Sequence, residues 1–241
     1  MRKIAALALA LVALAAGCGG DDETSPTTTE TPQAEQYPDD PKARETLDAF
    51  VHAAGQRDAA GMYELLTETS QAKFGPTLAH FRSGAGRDLS IVLGAMARDG
   101  GGYEHVLAQQ VTPAWSVAAI QGHVTGNGEQ QYGAYAVALR RLGDERRIEL
   151  AAPVAFNPVT PEPELKSEPT PDIATEVTAD EPILRSVVWV DDHALVSNLG
   201  PEQIILSAEV TSPLDEGRHT VITYAETQDG AGANAYTFQV G

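Results

Sequence analysis

The hydrophobic period of the chain changes near residue 100, and this change constrains the fold more than any other feature. Before it, apolar residues recur three or four positions apart, which is the spacing of one helix face. After it, apolar and polar residues alternate, which is the spacing of a strand with one buried face. The 241 residues leave room for two domains of ordinary size. We therefore predict an α+β domain followed by an all-β domain.

The helical part begins where Asp40 can act as an N-cap and Pro41 takes the first helical position. The buried face of this helix should be formed by residues three or four apart: Ala43, Leu47, Phe50, Val51 and Ala54. Gly55 is expected to end the helix, and Asp58 to cap a second one. A third helix follows Pro76. After a glycine-containing break the helical pattern resumes with three apolar residues: Leu89, Val92 and Met96.

The rest of the first domain, which we place at residues 41–157, is expected to form strands. The alternating segments are 103–110, 115–124, 131–140 and 145–153. Asn127-Gly128 and Gly143-Asp144 are turn dipeptides, so the last three strands should be joined as antiparallel hairpins.

The second domain, residues 171–241, is predicted to be a β-sandwich, because short strands follow one another at regular spacing. Its expected strands are 172–178, 183–190, 193–197, 203–210, 219–226 and 233–240. Ile222 and Tyr224 should oppose the apolar residues of the last strand: Tyr236, Phe238 and Val240. Residues 158–170 are rich in Pro and Glu and predict a semi-rigid linker that lets the two domains move.

The N-terminus has the layout of a secretory signal, with Arg2 and Lys3 ahead of an apolar run. That run is too short to cross a bilayer, which needs about 20 apolar residues. It ends in small residues before Cys18, the single cysteine of the chain, and there it resembles a bacterial lipoprotein signal with its lipobox. In that family the signal, here residues 1–17, is removed and the cysteine thiol carries a diacylglycerol. Ala15 stands where the family usually has Leu; the alternative is an ordinary signal peptide that leaves Cys18 as a free thiol.

Residues 18–40 contain almost no aliphatic side chain, so they cannot offset the entropy of ordering. We predict a disordered acidic Thr/Pro stalk, with O-glycosylation at Thr27, Thr28 and Thr29 as an alternative role. The formal charge is −18. A chain this acidic is not expected to bind nucleic acid through phosphate contacts. Abundant Ala and Gly, with more Arg than Lys, are typical of a high-GC bacterium such as an actinobacterium.

The first domain resembles the nuclear transport factor 2-like (cystatin-like) family in its bacterial secreted form. The resemblance rests on LDAFVHAAGQRDAAGMYELLT and on VAAIQGHVTGNGEQQYGAYAVALRRLGDERRIEL. It implies a cone, in which a bent sheet wraps around the helices and often leaves a pocket in its concave face. Some members are isomerases or dehydratases, whereas many only bind ligands or serve as structural modules.

An enzyme of that kind needs a general base with a partner that orients it. The candidate pocket residues are Tyr103, His105, His123 and Tyr135. His123 is expected at an exposed strand end and Tyr135 in the core, and no acid is spaced to pair with His105 or His123. We therefore expect no catalytic residues and no cofactor.

The second domain resembles bacterial Ig-like domains of cell-surface proteins, through VVWVDDHAL and LDEGRHTVITYAETQDGAGANAYTFQV. Some relatives of this sandwich bind copper through histidines and a free N-terminal amine. His193 and His219 each lack a second histidine at ligand spacing, and Asp191-Asp192 is expected to be a turn rather than a Ca²⁺ site. We therefore expect no metal.

The sequence thus predicts a lipoprotein anchored to the outer face of the cell membrane. Its domains would serve as non-enzymatic binding or structural modules for a cell-wall component, an envelope protein or a small ligand. The alternative is a small-molecule-binding protein or an isomerase- or dehydratase-type enzyme that uses the cone pocket of the first domain.

Overall fold

A computed structural model describes residues 35–98, 100–126, 129–200, 202 and 204–241. These residues fall within one compact unit, Pro32–Gly241. The structure is rich in sheet, has few helices and includes a curled half-barrel sheet. The predicted signal peptide, Cys18 and most of the predicted stalk lie outside the described residues.

Five helices come first among the described residues: α1 (Pro41–Gln56), α2 (Ala59–Glu64), α3 (Glu68–Phe74), α4 (Leu78–Ser83) and α5 (Ala85–Met96). The predicted start of α1 is confirmed, because the Asp40 side chain accepts a hydrogen bond from the Ala43 amide and Pro41 follows the cap. The predicted buried face of α1 is also confirmed, since its five residues are fully buried. Helix α3 was not predicted; Thr67 caps it.

Two details of the helical prediction were wrong. Helix α1 runs past Gly55 to Gln56, and its C-cap is Arg57, whose φ of 57° lies in the left-handed region. Val92 is 60% exposed, whereas the neighbouring Leu93 is fully buried. The reason is that the buried face of α5, which packs against α1 and α4, is made largely of small residues: Gly86, Ser90, Leu93 and Gly94. The spacing of the apolar residues alone therefore indicates the wrong buried face for α5, one position away from the observed one.

The first sheet, sheet A, contains β1 (Gly101–Gln110), β2 (Trp115–Gly126), β3 (Glu129–Leu142) and β4 (Glu145–Glu149) in sequence order. All neighbouring pairs are antiparallel. The predicted hairpins β2–β3 and β3–β4 are confirmed by their registers, although the turn residues 127 and 128 lie outside the described part of the chain.

In the described part of the chain after sheet A, nine further strands form two sheets: β5 (Val154–Thr160), β6 (Lys166–Ser167), β7 (Asp172–Ala179), β8 (Arg185–Val190), β9 (His193–Ala194), β10 (Ser197–Leu199), β11 (Ile205–Glu209), β12 (Gly217–Glu226) and β13 (Ala231–Val240). Sheet B has the order β10-β11-β7-β5. Sheet C has the order β6-β13-β12-β8-β9.

The interval 158–170, predicted as a linker, takes part in both of these sheets, and that prediction was wrong. Strand β5 pairs with β7 from Val154 opposite Ala179, and β6 pairs in parallel with β13. Proline is tolerated in a strand at the edge of a sheet, where its missing N–H removes no ladder bond. Strand β5 is such an edge, so Pro158 fits there. Richness in proline therefore did not indicate a spacer here.

The helices and sheets are stacked as layers with three apolar cores between them. The helices pack against one face of sheet A. The opposite face of sheet A packs against sheet C, and the far face of sheet C packs against sheet B. Strand β12 is consequently buried on both faces over most of its length. The part of the chain predicted as α+β and the part predicted as all-β thus share a core, while the domain limits 41–157 and 171–241 stay a prediction.

One predicted pairing of faces was wrong. Ile222 and Tyr224 do lie on the strand that pairs with the last strand, but their partners are Ala235 and Ala233. These residues face sheet A. Tyr236 and Phe238 face sheet B instead. Because β12 has apolar residues on both faces, alternation alone does not assign a side chain to one core.

Candidate functional site

A cleft opens where the core between sheet A and sheet C changes from apolar to polar. Along one face of β2, the apolar Val117 and Ala119 are followed by Gln121 and His123. Along the facing side of β12, the residues change in the same direction, since Tyr224 and Ile222 are followed by Thr220 and Arg218. At the polar end the two sheets enclose a cleft of about 530 Å³. Its lining includes Glu104, Gln121, His123 and Tyr132 from sheet A, with Arg218 and Gln239 from sheet C.

The aromatic centre of the cleft is the Tyr132 ring, which lies between a histidine and an arginine. The Arg218 guanidinium carbon is 3.9 Å from the ring centroid, which is cation–π geometry. The His123 ring lies 5.7 Å from the same ring, because His123 and Tyr132 are directly opposite in the β2–β3 register. Gly102 opposes His123 on the other side, and a Cβ there would come within 2.9 Å of the imidazole. The absence of a side chain at Gly102 therefore leaves room for this ring.

Arg218 is held in place by Glu164, which lies in the interval predicted as a linker, and by Thr237 on β13. Its Nη1 donates to Glu164 Oε2 at 3.1 Å and to Thr237 Oγ1 at 3.2 Å. Glu164 has a φ of 64° and donates its own amide to the Thr237 carbonyl at 2.8 Å. The segment between β5 and β6 thus fixes Arg218 in the cleft, and the Glu164 carboxylate compensates its charge.

Gln121 joins the two sheets at the base of the cleft. Thr220 on β12 donates to Gln121 Oε1 at 2.8 Å, and Gln121 Nε2 donates to Glu104. This chain of hydrogen bonds orients the amide and leaves the Glu104 carboxylate exposed at the rim. The cleft therefore presents an aromatic ring, a compensated cation, a carboxylate and amide groups, a combination that can bind a polar ligand by hydrogen bonds and stacking.

A second polar cluster lies on the opposite, helix-facing side of sheet A. Asp48 Oδ1 accepts a hydrogen bond from the Tyr103 hydroxyl at 3.0 Å and lies 2.8 Å from His105 Nε2. His105 Nδ1 is buried and has no hydrogen-bond partner among the described atoms. Burial raises the pKa of Tyr103 above its ordinary value, and the hydrogen bond and charge of Asp48 add to the rise.

The expectation that no acid pairs with His105 was wrong. Asp48 lies on α1 and His105 on β1, 57 residues apart. Only the packing of α1 on sheet A brings the two together, so no spacing along the chain could indicate the pair.

The structure does not bring the four predicted pocket residues into one place. Tyr103, His105 and Tyr135 have their side chains on the helix-facing side of sheet A, although Tyr103 also borders the cleft. His123 lies on the other side and lines the cleft, half-buried. Tyr135 packs against the helical core, and burial raises the pKa of its phenol.

The cleft residues that sequence reasoning missed are Glu104, Gln121, Tyr132, Arg218 and Gln239. The sequence does contain one signal, since one face of β2 and one face of β12 each change from apolar to polar residues toward one end of the strand. It does not indicate that these two polar ends lie next to each other in the fold.

The two histidines of the all-β part, His193 and His219, lie beside aspartates of turns. His219 Nδ1 lies 2.8 Å from Asp191 Oδ2, and its Nε2 lies 2.9 Å from the Asp215 carbonyl oxygen. His193 is exposed and lies beside Asp192. Within the described residues, no group of three or more His, Cys, Asp or Glu side chains is placed to hold a metal ion.

Comparison with known proteins gives partial structural likenesses. No protein-family model matches the chain, and no curated protein matches it. An NTF-2 like protein of unknown function from Shewanella oneidensis MR-1 is 9% identical, with 45% of this chain and 92% of that chain covered and a TM-score of 0.32. CopC from Methylosinus trichosporium OB3b is 14% identical, with 36% and 93% covered and a TM-score of 0.29.

The endo-beta-1,4-mannanase from Thermotoga petrophila is 15% identical, with 36% of this chain covered and a TM-score of 0.32. This chain spans 20% of the length of that enzyme. As for the membrane, none of the helices in the described part of the chain is long and apolar enough to cross it.

Proposed function

We propose that this protein is a non-enzymatic binding module of a bacterial cell envelope, held at the outer face of the cell membrane by a lipid on Cys18. The observation that carries the binding role is the cleft between sheets A and C. Its volume of about 530 Å³ lies within the range of about 300–1,000 Å³ that small-molecule sites occupy. The ligand is a small polar molecule, or the polar end of a cell-wall component or partner protein.

The groups in the cleft favour binding over chemistry. The Arg218 charge is compensated by Glu164, and the Tyr132 hydroxyl donates to Gln130 Oε1 at 2.5 Å. General acid–base catalysis needs a proton-transfer group aimed at the reacting atom and a partner that orients it. His123, the histidine of the cleft, is packed against Gly102 and Tyr132.

The binding role is tested by placing a photo-crosslinking amino acid at Tyr132, which is 39% exposed in the cleft, in living cells. The matched control carries it at Leu142, which is 51% exposed at the end of β3. We expect an adduct from position 132 and none from position 142. Identical adducts, or none at either position, would contradict the role of the cleft.

The anchor is tested separately. Cys18→Ser should leave uncut precursor or release the protein to the medium, because the thiol that carries the lipid is gone. Unchanged recovery in the membrane fraction would contradict the lipid anchor without bearing on the cleft.

A proton-transfer enzyme is the second candidate, and the Asp48–His105 pair with Tyr103 favours it. A carboxylate that contacts an imidazole is the arrangement that orients a general base. The test places the photo-crosslinking amino acid at Tyr103, which belongs to this cluster, and uses the ligand recovered from that adduct. Turnover of that ligand by the wild type but not by His105→Gln would favour the enzyme over the binding module.

A further inference from the structure

An arginine-lined pocket lies on the helical layer, away from the cleft. It has a volume of about 460 Å³ and is lined by Arg57, Arg82, Arg87 and Arg98, together with Ser90 and Ile91. The chain has only 16 Lys and Arg residues against 34 Asp and Glu. Four cations around one pocket therefore run against the charge of the whole molecule. None of the described residues that line this pocket carries a carboxylate.

Helix dipoles explain only part of this arrangement. Arg57 follows the last residue of α1 and Arg82 lies in the last turn of α4, where a cation is favoured by the carbonyl end of the helix. Arg87 lies in the first turn of α5, where the dipole disfavours a cation. Its ion pair is with Asp88, the next residue, at 3.1 Å, and both side chains are about two-thirds exposed.

A hydrogen bond holds the Arg98 side chain beside α5, and Gly94 leaves the room that this side chain needs. Its Nη1 donates to the Ser90 carbonyl at 3.3 Å. A Cβ at Gly94 would come within 2.6 Å of that same Nη1 and within 2.6 Å of the Ala54 carbonyl oxygen. Gly94 thus lets α5 approach α1 and lets the guanidinium lie between them. The group is held in position before any ligand arrives, which lowers the entropy cost of binding.

Arg57 occupies a backbone conformation that would suit glycine better. Its φ of 57° is left-handed, which costs a non-glycine residue on the order of 1 kcal/mol. In the described part of the chain, the guanidinium groups of Arg57 and Arg82 have neither an ion-pair partner nor a hydrogen-bond partner. Both groups are thus available to an external anion.

We propose that this pocket binds the phosphate group of a ligand, independently of the proposed cleft function. Guanidinium groups pair with phosphate oxygens through two parallel hydrogen bonds, and several of them around one pocket match a multiply charged phosphate. The rim adds an apolar surface, because Ile91, which lines the pocket, is 62% exposed. The phosphate belongs either to a soluble compound or to a phospholipid headgroup whose acyl chains contact that rim.

The test is calorimetric titration of the full chain in nonionic detergent. Pyrophosphate is the soluble probe. Dihexanoyl phosphatidylglycerol and dihexanoyl phosphatidylcholine are the lipid probes, which share acyl chains and differ in net charge. Titrations are repeated with Arg57→Gly, which keeps the left-handed cap, and with Arg82→Gln. Arg44→Gln is the matched control, because Arg44 lies on α1 outside the pocket and contacts Asp39 at the surface.

We expect binding that weakens about tenfold or more in Arg57→Gly and in Arg82→Gln, because each removes charge-assisted hydrogen bonds. Arg44→Gln should bind as the wild type does. Binding of pyrophosphate assigns the site to a soluble phosphate. Binding of phosphatidylglycerol alone assigns it to a headgroup. The proposal would be overturned if none of the probes bound, or if Arg44→Gln weakened binding as much as the other two substitutions do. Neither result bears on the proposed function of the cleft.

Discussion

Asp40 is a buried charge that joins the first helix to sheet A. Its carboxylate accepts hydrogen bonds from Ser116 Oγ at 2.5 Å, Arg146 Nε at 2.7 Å and the Ala43 amide at 3.3 Å. Burial alone would raise the pKa of Asp40, but the hydrogen bonds from Arg146 and Ser116 and the charge of Arg146 lower it overall. One residue therefore caps α1 and neutralises a buried guanidinium.

Asp40→Asn should cost about 3–5 kcal/mol at neutral pH, because it leaves Arg146 buried without its counter-charge. A carboxyl group with a lowered folded-state pKa stabilises the protein above its unfolded pKa, and this contribution is lost as the pH falls through the folded-state value. The difference in the free energy of unfolding between Asp40→Asn and wild type should therefore shrink in acid. Urea unfolding at neutral pH and in acid measures this difference. Asp39→Asn, which changes an exposed surface pair, is the control; equal stability of Asp40→Asn and wild type would contradict this role.

His219 has the opposite pH dependence. Burial lowers its pKa, but the hydrogen bonds and charges of Asp191 and Asp215 outweigh burial and leave the pKa raised. A histidine with a raised folded-state pKa stabilises the protein below its unfolded pKa, and this contribution disappears as the pH rises through the folded-state value. The Asp191–His219 contact thus stabilises the turn after β8 most strongly in mild acid.

His219→Gln should cost about 1–2 kcal/mol near pH 5.5 and less near pH 8.5. Thermal unfolding across this range measures the effect. His193→Gln is the control, because His193 is 84% exposed and should change stability little at either pH. A pH-independent loss in His219→Gln would mean that the charge of His219 does not contribute.

Two glycines that are direct partners in the pairing of β2 with β3 have different surroundings. Gly122 and Gly133 are direct partners in the register. A Cβ at Gly122 would come within 2.7 Å of the Gly102 carbonyl oxygen and 2.9 Å of Met96 Sδ. A Cβ at Gly133 would meet only Met96 Cε, at the ordinary distance of 3.7 Å. The close approach of α5 and β1 to β2 thus depends on one glycine of the pair.

Gly122→Ala should destabilise the protein by about 1–3 kcal/mol, because backbone must shift to admit the methyl group. Gly133→Ala should be within about 0.5 kcal/mol of wild type. Chemical unfolding of the two variants side by side tests this. Equal effects of the two substitutions would mean that α5 does not rest on β2 as described.

The element order could largely be predicted, and the reasons for the failures are physical. Alternation and turn dipeptides predicted β2, β3 and β4, because the turn dipeptides mark where one strand ends and the next begins. Strand β5 was partly assigned to a linker, because the prolines that weaken a central strand are harmless at a sheet edge. Helix α3 was missed because only Ser70 of its residues is buried, so it has almost no apolar face.

The cleft could not be predicted for a different reason. Thr220 and Gln121, which join its two walls, are 99 residues apart. The polar ends of β2 and β12 are visible in the sequence, but their approach depends on how sheet C packs on sheet A. Glu164, which fixes Arg218, lies in the segment that was predicted to be a semi-rigid linker.

Both tryptophans of the protein lie in the core between sheets A and C, where the two parts of the molecule meet. Trp115 is 6% exposed on β2, and Trp189 is fully buried on β8, where its Nε1 donates to Gln109 of β1 at 2.9 Å. The helical layer with sheet A and the layer of sheets B and C should therefore unfold together.

Single-tryptophan variants test this cooperativity. In Trp115→Phe and in Trp189→Phe, the fluorescence transition of the remaining tryptophan should coincide with the far-UV circular dichroism transition. Trp189→Ala should cost about 3–5 kcal/mol and lower the midpoint of both signals. Separate midpoints for fluorescence and dichroism would show that the two parts unfold independently.

Native mass spectrometry shows whether the cleft between sheets A and C holds a ligand. The full chain is purified from its host and measured under native and denaturing conditions, with Tyr132→Ala and Arg218→Gln measured in parallel. We expect an added mass on the wild type that disappears on denaturation and is lost or reduced in both variants. A wild type without added mass, or an added mass that both variants retain in full, would contradict it.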